Sequence, residues 1–212
     1  MSITWKKHTK LLDYDKALSE MEGAVDNIIL GLEQQTIWFL EHPDIYTAGT
    51  SANKGSLLDP KKFPVYETGR GGDYTYHGPG QRVIYLILDL KKIFAPHEPD
   101  LRKYIYYLEQ IIIESLKEIG INGERREGRI GIWVETENGE KKIAAIGVRV
   151  RKWVTYHGIA ININPNLNNF DGIVPCGISK YGVTSIKDLG KDVEIEYFDK
   201  VVKEKIKNIL KI

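Results

Sequence analysis

Apolar residues recur at helical spacing over residues 12–34, with Ala17, Met21, Ala24, Ile28 and Leu32 on one stripe. This pattern predicts an amphipathic helix with one buried side. The run Thr36-Ile37-Trp38-Phe39-Leu40 breaks that period and predicts a strand, ended by Glu41-His42-Pro43. A polar stretch over 51–60 reads as a surface loop and 63–67 as a short strand. Residues 83–90 are almost continuously apolar, the pattern of a strand buried on both faces. A second long helix is predicted over 99–119, stopped by Gly120. From Ile130 the pattern turns to strands: 131–135, a turn at Glu137-Asn138-Gly139, then 142–150, 153–156 and 158–164. Residues 166–190 read as loop, and the tail from about Asp171 could form a small subdomain. Residues 196–212 close the chain as a helix with Phe198, Val201, Val202, Ile206, Ile209 and Leu210 on its apolar side. Helices mixed irregularly with hairpins predict an α+β arrangement around one mixed or mainly antiparallel sheet.

Composition narrows the possibilities. With 42% hydrophobic and 28% charged residues in 212, the chain has an ordinary globular composition. Thirty basic and 29 acidic residues leave a net charge of +1, so nothing in bulk electrostatics points to nucleic acid. Residues 1–8 carry charge without an apolar stretch, and the longest apolar runs fall far short of a bilayer span. A cytoplasmic location without membrane contact is therefore expected. The single cysteine excludes an internal disulfide and a multi-cysteine zinc site. No two histidines have metal-ligand spacing, and no metal is expected.

Three segments carry candidate chemistry. Arg70-Gly71-Gly72-Asp73-Tyr74-Thr75-Tyr76-His77-Gly78-Pro79-Gly80-Gln81 interleaves charged and aromatic residues with glycine and proline. A connecting turn needs the glycines but not that polar set, and glycines let backbone approach a ligand. The Gly-Lys-Ser/Thr ending of a phosphate-binding P-loop is absent. In the second segment, 141–151, Lys142 precedes the small residues Ala144, Ala145 and Gly147; it is either a surface lysine or a group at the mouth of a slot. In the third, Cys176 lies between Pro175 and Gly177, which places a thiol on a turn, where it is either packing or a nucleophile. His77 and His157 are candidate bases, though a hydrogen-bonded strand-end histidine is the commoner role, and His42 before Pro43 reads as shaping a turn. Arg149 and Arg151 alternate onto one face beside Lys152. They either steer an acidic partner protein, or are simply solvated or paired with Glu135 or Glu137 across the adjacent hairpin.

Taken together, Glu41-His42-Pro43, the run from Arg70 to Gln81, Lys142 to Gly147, Trp153 to Asn164 and Val174 to Gly177 resemble the lipoyl(octanoyl) transferase family. Tyr74, Arg82 and Leu86 depart from its usual pattern. The resemblance implies a single α/β domain over residues 1–212, similar to the catalytic domains of biotin protein ligases and lipoate ligases, with a mixed, largely antiparallel sheet flanked by helices. It implies transfer of an octanoyl or lipoyl group from acyl carrier protein to a lysine of lipoyl domains in 2-oxoacid dehydrogenase complexes and of the glycine cleavage H protein. Cys176 would be the acyl-thioester nucleophile and Lys142 its acid/base. Arg70, Gly71, Gly72, Asp73, Tyr74, Thr75, Tyr76, His77, Ala145, Ile146, Gly147, Gly158, Ile159 and Ala160 would bind substrate. No cofactor is implied, since forming an amide from a thioester runs downhill without ATP. Competing readings are an ATP-dependent ligase, a cysteine hydrolase and a non-catalytic lipoyl-domain binder.

Overall fold

A computed structural model describes residues 2–174 and 181–212. Among these, β1 (Ile3–Lys7), β2 (Gln35–Leu40), β6 (Gln81–Ile87), β10 (Val154–Asn162), β9 (Gly139–Arg151), β8 (Arg129–Thr136) and β7 (Glu124–Arg126) form the main sheet in that order, and β11 (Gly182–Val183) adds to β9. Pairing is antiparallel except for β1 with β2 and β11 with β9. A small sheet of β4 (Val65–Glu67), β3 (Ile45–Ala48) and β5 (Thr75–His77) packs beside it. The expected mixed, mainly antiparallel sheet flanked by helices is therefore present. No helix is long and apolar enough to cross a membrane, among the described residues.

Helix α1 (Tyr14–Ile29) covers one face of the sheet, burying Ala17, Met21, Ala24 and Ile28 against Trp38, Val83 and Tyr85. It stops short of residue 34, because Gly31 takes φ +74° just past its end and leaves Leu32 exposed. The other face carries α2 (Leu90–Phe94), α3 (Leu101–Glu118) and α4 (Ile195–Leu210) over Ile84, Leu86, Ile159 and Ile161. The strand expected over 83–90 ends at Ile87, since the Asp89 carboxylate accepts the Lys91 N–H at 3.0 Å and starts α2. The tail is not a separate subdomain: Phe198, Val202, Ile206 and Leu210 of α4 belong to the same core as the sheet.

Two local features revise the strand pattern. Lys152 and Trp153 both take positive φ in a two-residue hairpin turn that joins β9 directly to β10. The strands expected over 153–156 and 158–164 are then one strand, since pairing runs through His157 at φ +62°. That twist breaks the alternation, so consecutive Tyr156 and His157 stack their rings at 5.1 Å. Short elements such as β1, β3, β5, β7 and α2 lack a readable period.

Arg82, a departure from the family pattern, is buried in β6 and faces Asp199 of α4, with Nε 2.8 Å from Oδ1 and Nη2 3.1 Å from Oδ2. Lys7 of β1 reaches the same carboxylate at 3.1 Å. Truncating one side of a buried pair strands the other charge. Asp199→Ala is therefore expected to destabilise by about 3–5 kcal/mol in urea unfolding, while Arg82→Met with Asp199→Leu should be close to neutral.

Candidate active site

The strand β8 stays paired with β9 only from Gly139 to Ala144, with a register shift at Ile132/Trp133, and then diverges. The freed edge of β9 meets the glycine-rich loop instead, where the Gly71 N–H donates to the Val148 carbonyl at 3.1 Å. A cavity of about 400 Å³ occupies the split, within the range usual for small-ligand sites. Lys142, Ala145, Ile146, Gly147 and Val148 form one wall and His157, Gly158, Ile159 and Ala160 another. Arg70, Gly71, Gly72, Asp73, Thr75 and His77 close it from the loop side, and Leu101, Ile105 and Ile130 border it with apolar surface. Tyr74 and Tyr76 lie elsewhere: they pack in the core of the small sheet, the Tyr76 hydroxyl donating to Asp44 at 2.6 Å.

The loop's charged residues are spent on building it. Arg70 is buried, and its guanidinium donates to Thr47 Oγ1, the Thr47 carbonyl and the carbonyls of Gly71 and Asp73 at 2.7–3.2 Å. The Asp73 carboxylate accepts from the Ser56 hydroxyl at 2.7 Å and from the amides of Tyr74 and Asn53. These two residues shape the wall that the glycines present to the cavity. A side chain at Gly147 would crowd the same approach, since a Cβ there would sit 3.0 Å from Arg70 Cδ and 3.2 Å from the Gly71 oxygen.

Lys142 is 5% exposed. A strand-capping surface lysine is therefore excluded. Its Nζ donates to the Ile130 carbonyl at 2.9 Å and lies 5.4 Å from the Trp133 ring centroid. Cys176 and its neighbours Pro175 and Gly177 lie outside the described residues. On either side of them, the Val174 N–H donates to the Ser56 carbonyl at 2.7 Å, and the Tyr181 ring stands 5.5 Å from Trp133. Val183 is in register with Lys142.

His77 and His157 line the site, and His42 lies behind them with its ring 5.8 Å from that of His77. His42 Nδ1 faces the Leu12 carbonyl, which can only accept, so Nδ1 carries the proton and Nε2 accepts from the Tyr85 hydroxyl at 2.6 Å. His77 Nδ1 donates to Gln81 Oε1 at 2.6 Å, because the Gln81 amide is already donating to the Tyr76 carbonyl and Asn162. His157 Nε2 is buried without a hydrogen-bond partner among the described residues. Burial pushes His42 down to about 4 and His77 and His157 to about 3 from the ordinary 6.5. All three are neutral at pH 7. The sequence marks His42 only as a turn residue and Tyr85 not at all, since nothing in their spacing shows that their polar atoms meet.

Arg149 lies 3.8 Å from Glu22 and Arg151 pairs with Asp26, both acids on α1. The expected alternatives across the hairpin, Glu135 and Glu137, are not their partners; Glu135 instead approaches Arg126 at 3.5 Å. The hairpin arginines thus face acids on the helix packed beneath them, in solvent-exposed pairs that are individually weak.

Residues 13–207 match the family described as lipoyl protein ligase A/B catalytic domain. Among curated proteins, the chain is 50% identical to an octanoyltransferase of Chelativorans sp. (strain BNC1), covering 98% of this chain and 86% of that one. It is 54% identical to an octanoyltransferase of Paramagnetospirillum magneticum over 89% and 87%. Among solved structures, a bipartite lipoate protein ligase from Thermoplasma acidophilum superposes with TM-score 0.74 at 17% identity, covering 100% of this chain and 85% of that one. The biotin protein ligase of Aquifex aeolicus with biotin and ATP gives 0.57 at 16% over 99% and 70%. At such identities these structures speak for the fold alone.

The neutral histidines make acid stability a test of the site. The unfolded chain takes up their protons near the ordinary 6.5, whereas the folded state resists until about 4 or 3. Stability is thus fully present above about pH 6.5 and falls as pH drops toward the folded values, by up to ~1.4 kcal/mol per pH unit for each histidine. Urea midpoints measured across that interval should show this slope, and His157→Phe should make it shallower by one proton. An unchanged slope would remove His157 from the titrating set.

Proposed function

The chain belongs to the lipoyl protein ligase A/B catalytic domain family and is an octanoyltransferase like its curated relatives, and from that premise we propose that it transfers the octanoyl group to lipoyl-domain proteins by the following route. The octanoyl donor is acyl carrier protein, and the group passes through a thioester on Cys176 before reaching an acceptor lysine. Residues 1–212 work as one catalytic domain, and the acceptors are the lipoyl domains of 2-oxoacid dehydrogenase complexes and the glycine cleavage H protein. The observation that carries this reading is Lys142, an amine buried at the end of an apolar cavity, with the chain re-entering the sheet in register beside it seven positions after Cys176.

In the first half-reaction the Cys176 thiolate attacks the thioester carbonyl, the carrier's C–S bond breaks, and Lys142 as ammonium protonates the departing thiolate. One thioester replaces another at little energetic cost. In the second, the acceptor amine attacks the acyl-enzyme, neutral Lys142 takes its proton, and the Cys176 thiolate leaves as the amide forms. The glycine-rich loop and the wall from Ala145 to Gly147 hold the acyl chain, which needs shape and apolar surface instead of charge. Gly158, Ile159 and Ala160 lie opposite. A cysteine hydrolase using His77 or His157 is disfavoured, since imidazoles near 3 are weak bases at neutral pH.

Intact mass after mixing with octanoyl carrier protein should show one added octanoyl group, released by hydroxylamine and located on Cys176. Near-normal transfer by Cys176→Ala would end the thioester mechanism. Free octanoate with ATP should give no product, and product there would favour a ligase.

Lys142→Ala should fold and lose both half-reactions by roughly 10²–10⁴-fold. Lys142→Arg should not restore them, because a guanidinium does not release its proton. Normal turnover by the arginine variant would reduce Lys142 to an electrostatic role.

A further inference from the structure

One planar peptide unit, joining Ile130 to Gly131, is held at both ends by ionisable side chains. Its carbonyl accepts from Lys142 Nζ at 2.9 Å. Its N–H donates to Oε1 of Glu109 at 3.3 Å. Glu109 lies on α3, is 8% exposed, and receives the Arg125 Nε at 3.0 Å on its other oxygen. Arg125 is itself fixed, donating to the Tyr106 carbonyl and Gln110 Oε1 at 2.9 Å and lying over the Tyr106 ring at 3.8 Å. The peptide cannot rotate internally, so fixing its N–H fixes the direction of its carbonyl. An N–H bonded to an anion also polarises the unit and makes its oxygen a stronger acceptor.

We infer that Glu109 is a positioning residue for Lys142, acting through the Ile130–Gly131 peptide, an inference that rests on the catalytic reading of Lys142. The surrounding backbone fits this role. Gly131 takes φ +119°, which favours glycine, and a Cβ there would sit 2.5 Å from Lys142 Cε. The lysine stem thus lies directly against this peptide. The register shift between Ile132 and Trp133 falls just beyond it, where β8 leaves β9. With its partner strand departing, this peptide loses ordinary ladder support, and Glu109 supplies a tether from the helix layer. The acid acts on the orientation of Lys142 and does not touch the acyl group.

The test compares Glu109→Leu, Glu109→Gln, Arg125→Met and Lys142→Ala in carrier-to-acceptor octanoyl transfer, with melting temperatures and pH–rate profiles. Glu109→Leu should lower kcat on the order of 10²-fold, the scale of a misplaced catalytic group, with KM nearly unchanged. Glu109→Gln keeps an acceptor for Gly131 but not the charge, and should fall between Leu and wild type with a displaced pH–rate profile. Arg125→Met removes the ion pair but leaves the peptide contact, and should keep kcat near wild type even if the melting temperature drops. Normal kcat and pH profile in Glu109→Gln, with Lys142→Ala inactive, would overturn the inference while leaving the role of Lys142 standing. An Arg125→Met loss equal to that of Glu109→Leu would also overturn it, as the mark of a structural ion pair. Activity retained by Lys142→Ala would remove the catalytic reading itself, and the inference with it. If Glu109→Leu does not fold, the Glu109→Gln profile decides.

Discussion

The site depends on the parting of β8 from β9 beyond Ala144. A sheet that stayed paired there would leave no space between its strands, and β9 would have no free edge to offer. Because the strands part, the Val148 carbonyl is available to the Gly71 amide, and a loop from the small sheet can lie across the gap. The loop keeps its shape through Arg70, whose guanidinium ties Thr47, Gly71 and Asp73 together in a buried setting. A buried arginine is tolerable only when its donors are met. The bonds that meet them also set the spacing between loop and strand. Cavity, loop and lysine are consequences of one departure from regular pairing.

The electrostatic character of the cavity follows from desolvation. Imidazole, unlike guanidinium, can shed its charge, and His42, His77 and His157 do so. They retain hydrogen-bonding capacity while adding no charge of their own beside Arg70 and Lys142. Such a lining suits an aliphatic acyl group. It also leaves Lys142 as the amine of the cavity wall. Solved ligases that carry ATP share the fold at low identity, so what distinguishes the reaction must lie in side chains placed on a common frame.

The two sheet faces are secured differently. The α1 face is closed by apolar packing, with Arg149 and Arg151 answered by Glu22 and Asp26. The opposite face adds a buried charge contact, Arg82 with Asp199, which joins the last helix to a central strand. An arginine at 82, where an apolar residue is usual in the family pattern, is thus matched by an acid more than a hundred positions away.

The helical period alone determined α1, α3 and α4, because each buries one stripe over enough turns to read, and the run from β8 to β10 was legible as strands although β10, buried at every position, read as two. The motifs carried the family, since residue types at fixed spacing survive without any knowledge of contacts. Short elements such as β1, β3 and β5 were not readable: three to five residues hold too little period, and their pairing is supplied by distant strands. The same limit applied at the site. Lys142 and Arg70 both stood out in the sequence, but only tertiary packing decided that one enters the cavity wall and the other builds it. Glu109 and Tyr85 carried no local mark at all, and His42 stood out only as part of the Glu41-His42-Pro43 turn. Their polar atoms acquire meaning only when elements far apart in the chain bring the Gly131 amide, the Leu12 carbonyl and one another within hydrogen-bond reach.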